Sequence, residues 1–287
     1  ELVKQIIKSI PKTIILLDNS EYNLFIINRE IQKLIDVKHY DIKIICKLVS
    51  ITDLDNLNDI FNEHKPQQVF HAAAYKHVSL VEKNPIESIK NNVIGTLNIV
   101  DCAINYNVSR FLFISTDKAV KPTTIMGKTK RLGEKIIKEK VNDKKCNTIF
   151  SIVRFGNVLG SSGSVIPLFI EQIENGGPIT LTHKDIKRYF MTIEDAVSLV
   201  LEASQFAKGG EIYLLDMGKS IKIYDLALKL INLSGLTLKD RNNPDGDIEI
   251  KITGLDPIEK LDEELIIAGS TKKTIIPSIF EVDADIS

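Results

Sequence analysis

Short runs of β-branched and aromatic residues alternate with longer segments of helical periodicity through the first half of the sequence. Parallel strands need crossovers of about this length, and such units build a parallel sheet with helices on both faces. The predicted strands span 13–17, 43–48, 68–71, 110–115 and 150–155, and the predicted helices between them span 20–35, 54–63, 85–106 and 123–141. The alternation predicts an α/β fold with a doubly wound parallel sheet.

The alternation of strands and helices becomes less regular after about Asn157, where glycines and prolines divide the chain into shorter segments. Helices are predicted over 193–207 and 223–234, and strands over 211–215 and 248–253. We therefore predict a first domain over residues 1–157 and a smaller α/β region over 158–287, with some segments of the latter returning to the first sheet.

Composition excludes several classes of protein. The 37 basic and 38 acidic side chains leave a net charge of -1, which argues against binding to nucleic acid. Cys46, Cys102 and Cys146 lie far apart, so they indicate neither a disulfide framework nor a metal site, and they favour a reduced, intracellular protein. No apolar run reaches the ~18–20 residues that cross a bilayer. We predict a cytoplasmic protein without a membrane span in this chain.

The N-terminal residues already show helical spacing, and the sequence starts with Glu1. We therefore expect a fragment that begins inside a helix. A longer form with a membrane-spanning part would lie at the inner face of a membrane.

Two strand ends carry residues of interest. Asp18 ends the first predicted strand, where a carboxylate can accept hydrogen bonds from ribose hydroxyls, although an Asp here is more often a turn or helix-capping residue. The segment HAAAYKHV (71–78) follows another strand. Its small residues would let a flat ligand approach the backbone, or would serve tight packing alone.

A denser set of polar residues lies in STDKAVKPTTIMGKTKR (115–131), at the predicted end of a strand. Ligands bind at the carboxyl ends of parallel strands, and Thr116, Asp117, Lys118 and Lys130 would converge there. Each residue alone fits helix capping or a solvated face. Their combination with RFGNVLGSSGSV (154–165) favours a site.

Taken in order, HAAAYKHV, NNVIGT, STDKA, GKTKR, RFGNVLGSSGS, THKDIKRYFM, GGEIYLLDMG and KITGL resemble the extended short-chain dehydrogenase/reductases. Within them, the CapD-like nucleotide-sugar 4,6-dehydratases are most similar. The resemblance implies a Rossmann-like NAD-binding domain over 1–157 and a mainly substrate-binding region over 158–287. It implies NAD as cofactor, UDP-N-acetylglucosamine as substrate, a 4-keto-6-deoxy product for surface polysaccharide, and homo-oligomers.

The resemblance also implies catalytic roles. Thr116 would hydrogen-bond the sugar 4-hydroxyl, Asp117 would be the acid for the departing C6 hydroxyl, and Lys118 would be the base at C5. For that role we expect Lys130 and the oxidised nicotinamide to lower the pKa of Lys118. Lys130 would hold the nicotinamide ribose. Met126 stands where most of the superfamily has Tyr, as in one branch of the 4,6-dehydratases.

Binding residues follow from the same resemblance. Those implied for the cofactor are Asp18, Ser20, Ser50, Ile51, Ala72, Ala73, Ala74, Lys76, Asn92, Lys130 and Phe155. Those implied for the substrate are Asn157, Ser164, Val165, Thr180, Leu181, Thr182, Arg188 and Glu259. Thr180 to Thr182 would line the uracil pocket, Arg188 would reach a phosphate or the ribose, and Asn92 would support the site from the long helix. Glu171 and Gln172 are predicted to lie on an ordinary surface helix.

Two departures from the family pattern stand out. The family's opening strand and glycine-rich loop are missing, so we expect two unpaired strand edges, poor NAD binding and poor folding. In GLDPIEK (254–260), Asp256 replaces an Arg expected at the diphosphate and Ile258 replaces a glycine. A catalytically inactive remnant is therefore one alternative. A sugar 4-epimerase is a less favoured one, because it would want Tyr at position 126.

Overall fold

The computed structural model describes residues 1–142, 146–161, 163–255, 259–263 and 271–282. Its strands are β1 (Thr13–Asp18), β2 (Lys43–Leu48), β3 (Gln68–His71), β4 (Arg110–Ile114), β5 (Ile149–Arg154), β6 (Asn157–Val158), β7 (Ile179–Leu181), β8 (Lys187–Arg188), β9 (Phe190–Met191), β10 (Glu211–Leu215), β11 (Ile221–Lys222), β12 (Leu238–Lys239), β13 (Ile248–Ile252), β14 (Thr271–Lys273) and β15 (Ile279–Val282). Its α-helices are α1 (Leu2–Ile6), α2 (Glu21–Lys38), α3 (Leu54–His64), α4 (Val78–Lys83), α5 (Pro85–Ile89), α6 (Gly95–Asn105), α7 (Ile125–Val141), α8 (Val165–Glu174), α9 (Ile193–Phe206) and α10 (Ile223–Leu233).

The main sheet has six strands in the order β14-β15-β10-β5-β4-β3. Strands β3, β4, β5 and β10 are parallel, and β15 runs antiparallel to both of its neighbours. The predicted α/β fold with a mainly parallel sheet is therefore confirmed. Strands β14 and β15 were not predicted, and they come from the C-terminal part of the chain.

Strands β1 and β2 form a separate parallel pair, in register from Thr13 opposite Lys43 to Asp18 opposite Leu48. Within the described residues, β1 pairs only with β2, and β3 pairs only with β4. One edge of β1 and one edge of β3 thus lack a ladder partner there. This split agrees with the prediction that a central strand is missing between them.

Two hydrophobic clusters hold the larger elements together. The first joins α3 and α6 to the central strands, with Phe111, Phe113 and Phe150 fully buried. The alternating aromatic residues of RFLFI explain how β4 contributes to it. The second cluster packs α8 and α10 against β7 and β13 through Phe169, Ile179 and other apolar residues. The C-terminal half therefore has an apolar core of its own.

The helix predicted over 85–106 is interrupted. Residues Lys90–Ile94 form a π-helical turn between α5 and α6, with Pro85 in the first turn of α5. Asn91 and Asn92 are buried in this turn. Such turns often occur at functional sites. Among the described residues, no helix combines the length and the apolar character that a bilayer crossing needs.

Candidate active site

The carboxyl end of β4 carries the residues Thr116, Asp117 and Lys118 in a single tight turn. Thr116 ends the extended segment, and its hydroxyl accepts a hydrogen bond from the Lys118 amide at 3.3 Å. The same hydroxyl donates to Asp117 Oδ1 at 2.8 Å. The Asp117 amide donates to the Phe155 carbonyl at 3.1 Å, which anchors the turn to the end of β5. Backbone and side chain together fix the orientation of the Asp117 carboxyl group.

Lys118 lies among three oxygen acceptors. Its Nζ is 3.2 Å from Asp117 Oδ1, 3.1 Å from Asn157 Oδ1 and 2.8 Å from Glu263 Oε1. Burial alone would lower the pKa of Lys118, but the Asp117 and Glu263 carboxyl groups outweigh it and raise that pKa above its ordinary value. The expectation that the pKa of Lys118 is lowered is therefore wrong for the residues present. Lys118 is a charged ammonium in this arrangement.

The pKa values of the two carboxyl groups beside Lys118, those of Asp117 and Glu263, shift in opposite directions. Burial favours the neutral form of Asp117, yet Lys118 and the hydrogen bonds around it hold the pKa of Asp117 below its usual range. Burial raises the pKa of Glu263, and the neighbouring Asp117 adds to that increase. Glu263 is thus the carboxyl group of the pair that more readily holds a proton.

Helix α7 packs its first turn directly against this turn. Thr124 caps the helix by accepting a hydrogen bond from the Gly127 amide at 3.1 Å. A Cβ atom at position 127 would lie 2.4 Å from the Lys118 carbonyl oxygen, so only glycine permits this approach. Met126 is buried on the same turn, and Lys130 follows one helical turn later. The helix thereby brings Lys130 to the end of β4.

Lys130 donates from Nζ to the Ile114 carbonyl at 2.8 Å and lies 4.5 Å from the centre of the Phe113 ring. Burial lowers the pKa of Lys130 to about 8, although the buried Glu134 opposes this shift. The ammonium group keeps donors beyond the one to Ile114, so it can hold a further oxygen ligand.

Asn92 connects the alanine-rich loop after β3 to α7. Its Nδ2 donates to the Tyr75 carbonyl at 3.0 Å and to Thr129 Oγ1 at 3.1 Å, and its Oδ1 accepts from the Tyr75 amide at 2.8 Å. In that loop, Ala72 and Ala73 are exposed. These small exposed residues leave the surface next to β3 open. That Asn92 and the loop contribute to cofactor binding stays a prediction.

The other residues predicted for the cofactor lie at or after the carboxyl ends of β1, β2, β3 and β5. Asp18 Oδ1 accepts from the Ser20 amide at 2.7 Å, which is the turn geometry that we gave as the alternative interpretation. Ser20 caps α2. Ser50 contacts Thr52 at 2.8 Å, and Ile51 is buried in the main core. Ala74 and Phe155 are half-buried and Lys76 is exposed. The turns after β1, β2 and β3 contain no glycine, so none of them is a glycine-rich phosphate cradle.

A cavity of about 370 Å³ opens beside the turn after β4. It gathers five of the predicted residues, Asp117, Lys118, Asn157, Arg188 and Glu259. Residues from α4 and from the approach to α7, such as Val78, Ser79, Thr123 and Thr124, also line it, and these were not predicted. The cavity therefore joins the main sheet to segments of the C-terminal half.

The remaining substrate candidates lie apart from the lining of this cavity. Ser164 precedes Val165 at the start of α8, and its buried hydroxyl has no hydrogen-bond partner among the described residues. Thr180 is held by Gln172, whose side chain binds both its amide and its hydroxyl at 3.0 and 2.8 Å. Glu171 is exposed and Gln172 is half-buried on α8, which is consistent with the predicted surface helix. Leu181 is buried in the second cluster, and Thr182 is half-buried.

Arg188 is held by acidic residues of a nearby segment. Its Nη2 is 3.2 Å from Glu259 Oε1 and its Nε is 3.4 Å from Glu263 Oε1. Sequence reasoning missed Glu263, because three consecutive acidic residues at 262–264 give no sign of which one points inward. Asp256 and Ile258, the two departures in GLDPIEK, lie outside the described residues.

Comparison with known sequences places the chain in a family. The profile of the family described as polysaccharide biosynthesis protein matches residues 1–284. The capsular polysaccharide biosynthesis protein CapD of Staphylococcus aureus is 47% identical over 266 residues, which is 93% of this chain and 43% of CapD. A UDP-glucose 4-epimerase of Rickettsia canadensis is 42% identical over 152 residues, 53% of this chain and 45% of that protein. The chain spans less than half the length of these relatives.

Solved structures have the same fold. Pen from Bacillus thuringiensis has a TM-score of 0.87 at 32% identity, covering 100% of this chain and 85% of Pen. DesIV, a dTDP-glucose 4,6-dehydratase from Streptomyces venezuelae with NAD and TYD bound, has a TM-score of 0.74 at 19% identity, covering 91% and 82%. The fold is that of the extended short-chain dehydrogenase/reductases. With a family profile over nearly its whole length and such relatives, this chain belongs to the polysaccharide biosynthesis protein family.

Proposed function

We propose that this chain carries the catalytic residues for NAD-dependent 4,6-dehydration of a UDP-sugar, UDP-N-acetylglucosamine, to a 4-keto-6-deoxy sugar used in surface polysaccharide. The observation that carries the proposal is the adjacency of an acid and an amine, Asp117 and Lys118, at the cavity. Eliminating water across C5 and C6 requires one group that takes a proton and another that gives one. CapD, which is named as a capsular polysaccharide biosynthesis protein, supports the pathway assignment.

The residues present fit part of the NAD molecule. The exposed alanines after β3 and the buried Lys130 lie at the edge where a nicotinamide and its ribose would bind. The turns after β1, β2 and β3 offer no glycine-rich cradle for the pyrophosphate. Bound NAD would supply the hydride acceptor and donor for the sugar. DesIV, which shares the fold, was solved with NAD.

We assign one task to each catalytic side chain. Thr116 donates its hydroxyl proton to Asp117, so the hydroxyl oxygen can accept a hydrogen bond from a sugar 4-hydroxyl. Lys130 holds a ribose oxygen and stabilises negative charge that develops nearby. Lys118 removes the C5 proton, and Asp117 protonates the leaving C6 hydroxyl. Met126 is buried and has no proton to exchange, so it takes no part in proton transfer.

Incubation of the chain with UDP-N-acetylglucosamine and NAD tests the function, with the product analysed by mass spectrometry. We expect the sugar nucleotide to lose one water. Asp117→Asn and Lys118→Met variants should each reduce the rate by about 10²-fold or more, the usual contribution of a general acid or base. Full activity in both variants would refute the assignments. A product of unchanged mass that carries an inverted C4 would instead identify an epimerase, the activity named for the Rickettsia relative.

A further inference from the structure

The proposed reaction needs Lys118 as a neutral amine and Asp117 as a protonated acid, whereas the structure holds the opposite charge states. Lys118 is a charged ammonium with acceptors at 3.2, 3.1 and 2.8 Å. Asp117 is ionised and almost completely buried, with its side chain 1% exposed. A proton must therefore pass from the amine to the acid before the chemistry begins.

Glu263 is placed to carry that proton. Its Oε1 makes the shortest contact of Lys118 Nζ, at 2.8 Å, and its side chain is only 8% exposed. Its carboxyl group also interacts with that of Asp117. Glu263 Oε2 and Asp117 Oδ2 are both buried without a hydrogen-bond donor among the described residues. A proton on Glu263 would supply a donor to this carboxyl pair, where neither of the two oxygens has one.

We propose that Glu263 is a positioning residue that relays a proton from Lys118 to Asp117. An N–H bond of Lys118 breaks as an O–H bond forms at Glu263 Oε1. At the same time the O–H bond at Glu263 Oε2 breaks and a new O–H bond forms at Asp117 Oδ2. The net charge is unchanged, and one step yields the neutral base and the protonated acid together. The inference rests on the proposed function, because only that reaction needs both forms.

Charged groups of both signs surround Glu263. Lys118 faces it from the turn after β4, and Arg188 faces it from β8 with its Nε at 3.4 Å from Oε1. Asp117 is the acid on the other side, and Glu259 of the same segment pairs with Arg188. Gly156 leaves room beside Asp117 Oδ2, since a Cβ atom there would lie at 3.1 Å from that oxygen. Among the described residues, Asp117 and Glu263 are the two carboxyl groups that form ion pairs with Lys118.

Infrared spectroscopy of the full chain tests whether Glu263 holds a proton, and it needs no turnover. We expect a carbonyl band of a protonated carboxylic acid at pH 7, where ordinary glutamates are ionised. Glu263→Gln should remove this band. Asp262→Asn should retain it, because Asp262 is exposed and makes only a 4.0 Å ion pair with Lys187. Absence of the band in the parent chain overturns the relay, whatever the fate of the variants.

Kinetics tests whether the relay is used. We expect Glu263→Gln to lower kcat by about 10²-fold with little change in KM, while Asp262→Asn keeps the parental kcat. An unchanged or higher kcat in Glu263→Gln overturns the relay, because Lys118 would then pass its proton directly to Asp117. If the parent chain binds its proton at Glu263 but dehydrates no UDP-sugar, the proposed function fails while the proton-sharing carboxyl pair stands.

Discussion

At the scale of single residues, the candidate site is governed by burial and by which charges are neighbours. Lys130 and Lys118 are both lysines near the end of β4, yet their pKa values move in opposite directions. Lys130 faces one carbonyl and an aromatic ring, so burial dominates. Lys118 faces two carboxyl groups, so electrostatic attraction dominates. Reading a lysine as a catalytic base from sequence alone ignores this difference.

His71, at the end of β3, makes stability depend on pH. Its Nε2 lies 2.9 Å from Thr96 Oγ1, and burial, with Lys130 nearby, lowers the pKa of His71 from 6.5 to about 3. The unfolded chain therefore binds a proton that the folded chain does not, between these two pH values. The free energy of unfolding should fall as the pH drops below 6.5, with a contribution from His71 of up to about 1.4 kcal/mol per pH unit.

Urea unfolding of the parent, His71→Gln and His39→Asn between pH 7 and pH 5 measures this contribution. We expect a shallower pH dependence in His71→Gln, whose amide can still bond to Thr96. His39→Asn should follow the parent, because His39 is exposed and Asn tolerates its left-handed backbone (φ 54°). If the free energy of unfolding changes equally with pH in the parent and in His71→Gln, His71 is not the cause of the pH dependence.

At the scale of the elements, the start of α7 determines how the catalytic turn is positioned. Gly127→Ala would bring a Cβ atom to 2.4 Å from the Lys118 carbonyl, so the helix and the turn must separate. We expect a loss of about 1–3 kcal/mol in the free energy of unfolding, as for other overpacked contacts, together with loss of dehydratase activity. Lys128 lies on the exposed side of the same helix, so Lys128→Ala should keep the parental free energy of unfolding in chemical denaturation and the parental dehydratase rate. A Gly127→Ala variant with parental stability would contradict this account of the contact.

The split between the two sheets predicts uneven backbone protection. Strand β4 pairs with β3 on one side and β5 on the other, whereas β3 pairs with β4 alone among the described residues. In hydrogen-exchange mass spectrometry, a peptide over 68–71 should exchange faster than one over 110–114, since its free edge is open to water. Equal protection of the two peptides would mean that another strand, from this chain or a second copy, covers the edge of β3.

Local pattern was sufficient for the five strands of the first half and for most of its helices, although α4 was not predicted. It was insufficient for features with tertiary causes. The apolar run of β4 and the capping residue Thr124 of α7 can be recognised in the sequence. The π-helical turn at 90–94 accompanies the bonds of Asn92 to Tyr75 and Thr129, which no local pattern records. Glu263 reaches Lys118 from a distant segment, so neither its role nor the raised pKa of Lys118 could be predicted.

At the scale of the whole molecule, the two halves of the chain meet at the cavity. The main sheet contributes Asp117 and Lys118 through β4, and the later segments contribute Arg188, Glu259 and Glu263. The apolar core around α8 and α10 holds this second half together. The division into domains at 157 and 158 remains a prediction, since β10, β14 and β15 belong to the main sheet. The proposed chemistry depends on both halves, because neither one alone contains the acid, the base and their proton partner.

The central claim is that Lys118 removes the proton at C5 of the sugar. The most direct measurement is the dehydration of UDP-N-acetylglucosamine in D₂O, with the product from the parent and from Lys118→Met compared by NMR. Formation of the 4-keto-6-deoxy product requires a proton to be returned to C5. Because a proton held on Lys118 exchanges with solvent before its return, the parent's product should carry deuterium at C5, and Lys118→Met should form little product. A product without deuterium at C5, or product formation by Lys118→Met at the parental rate, would contradict the account.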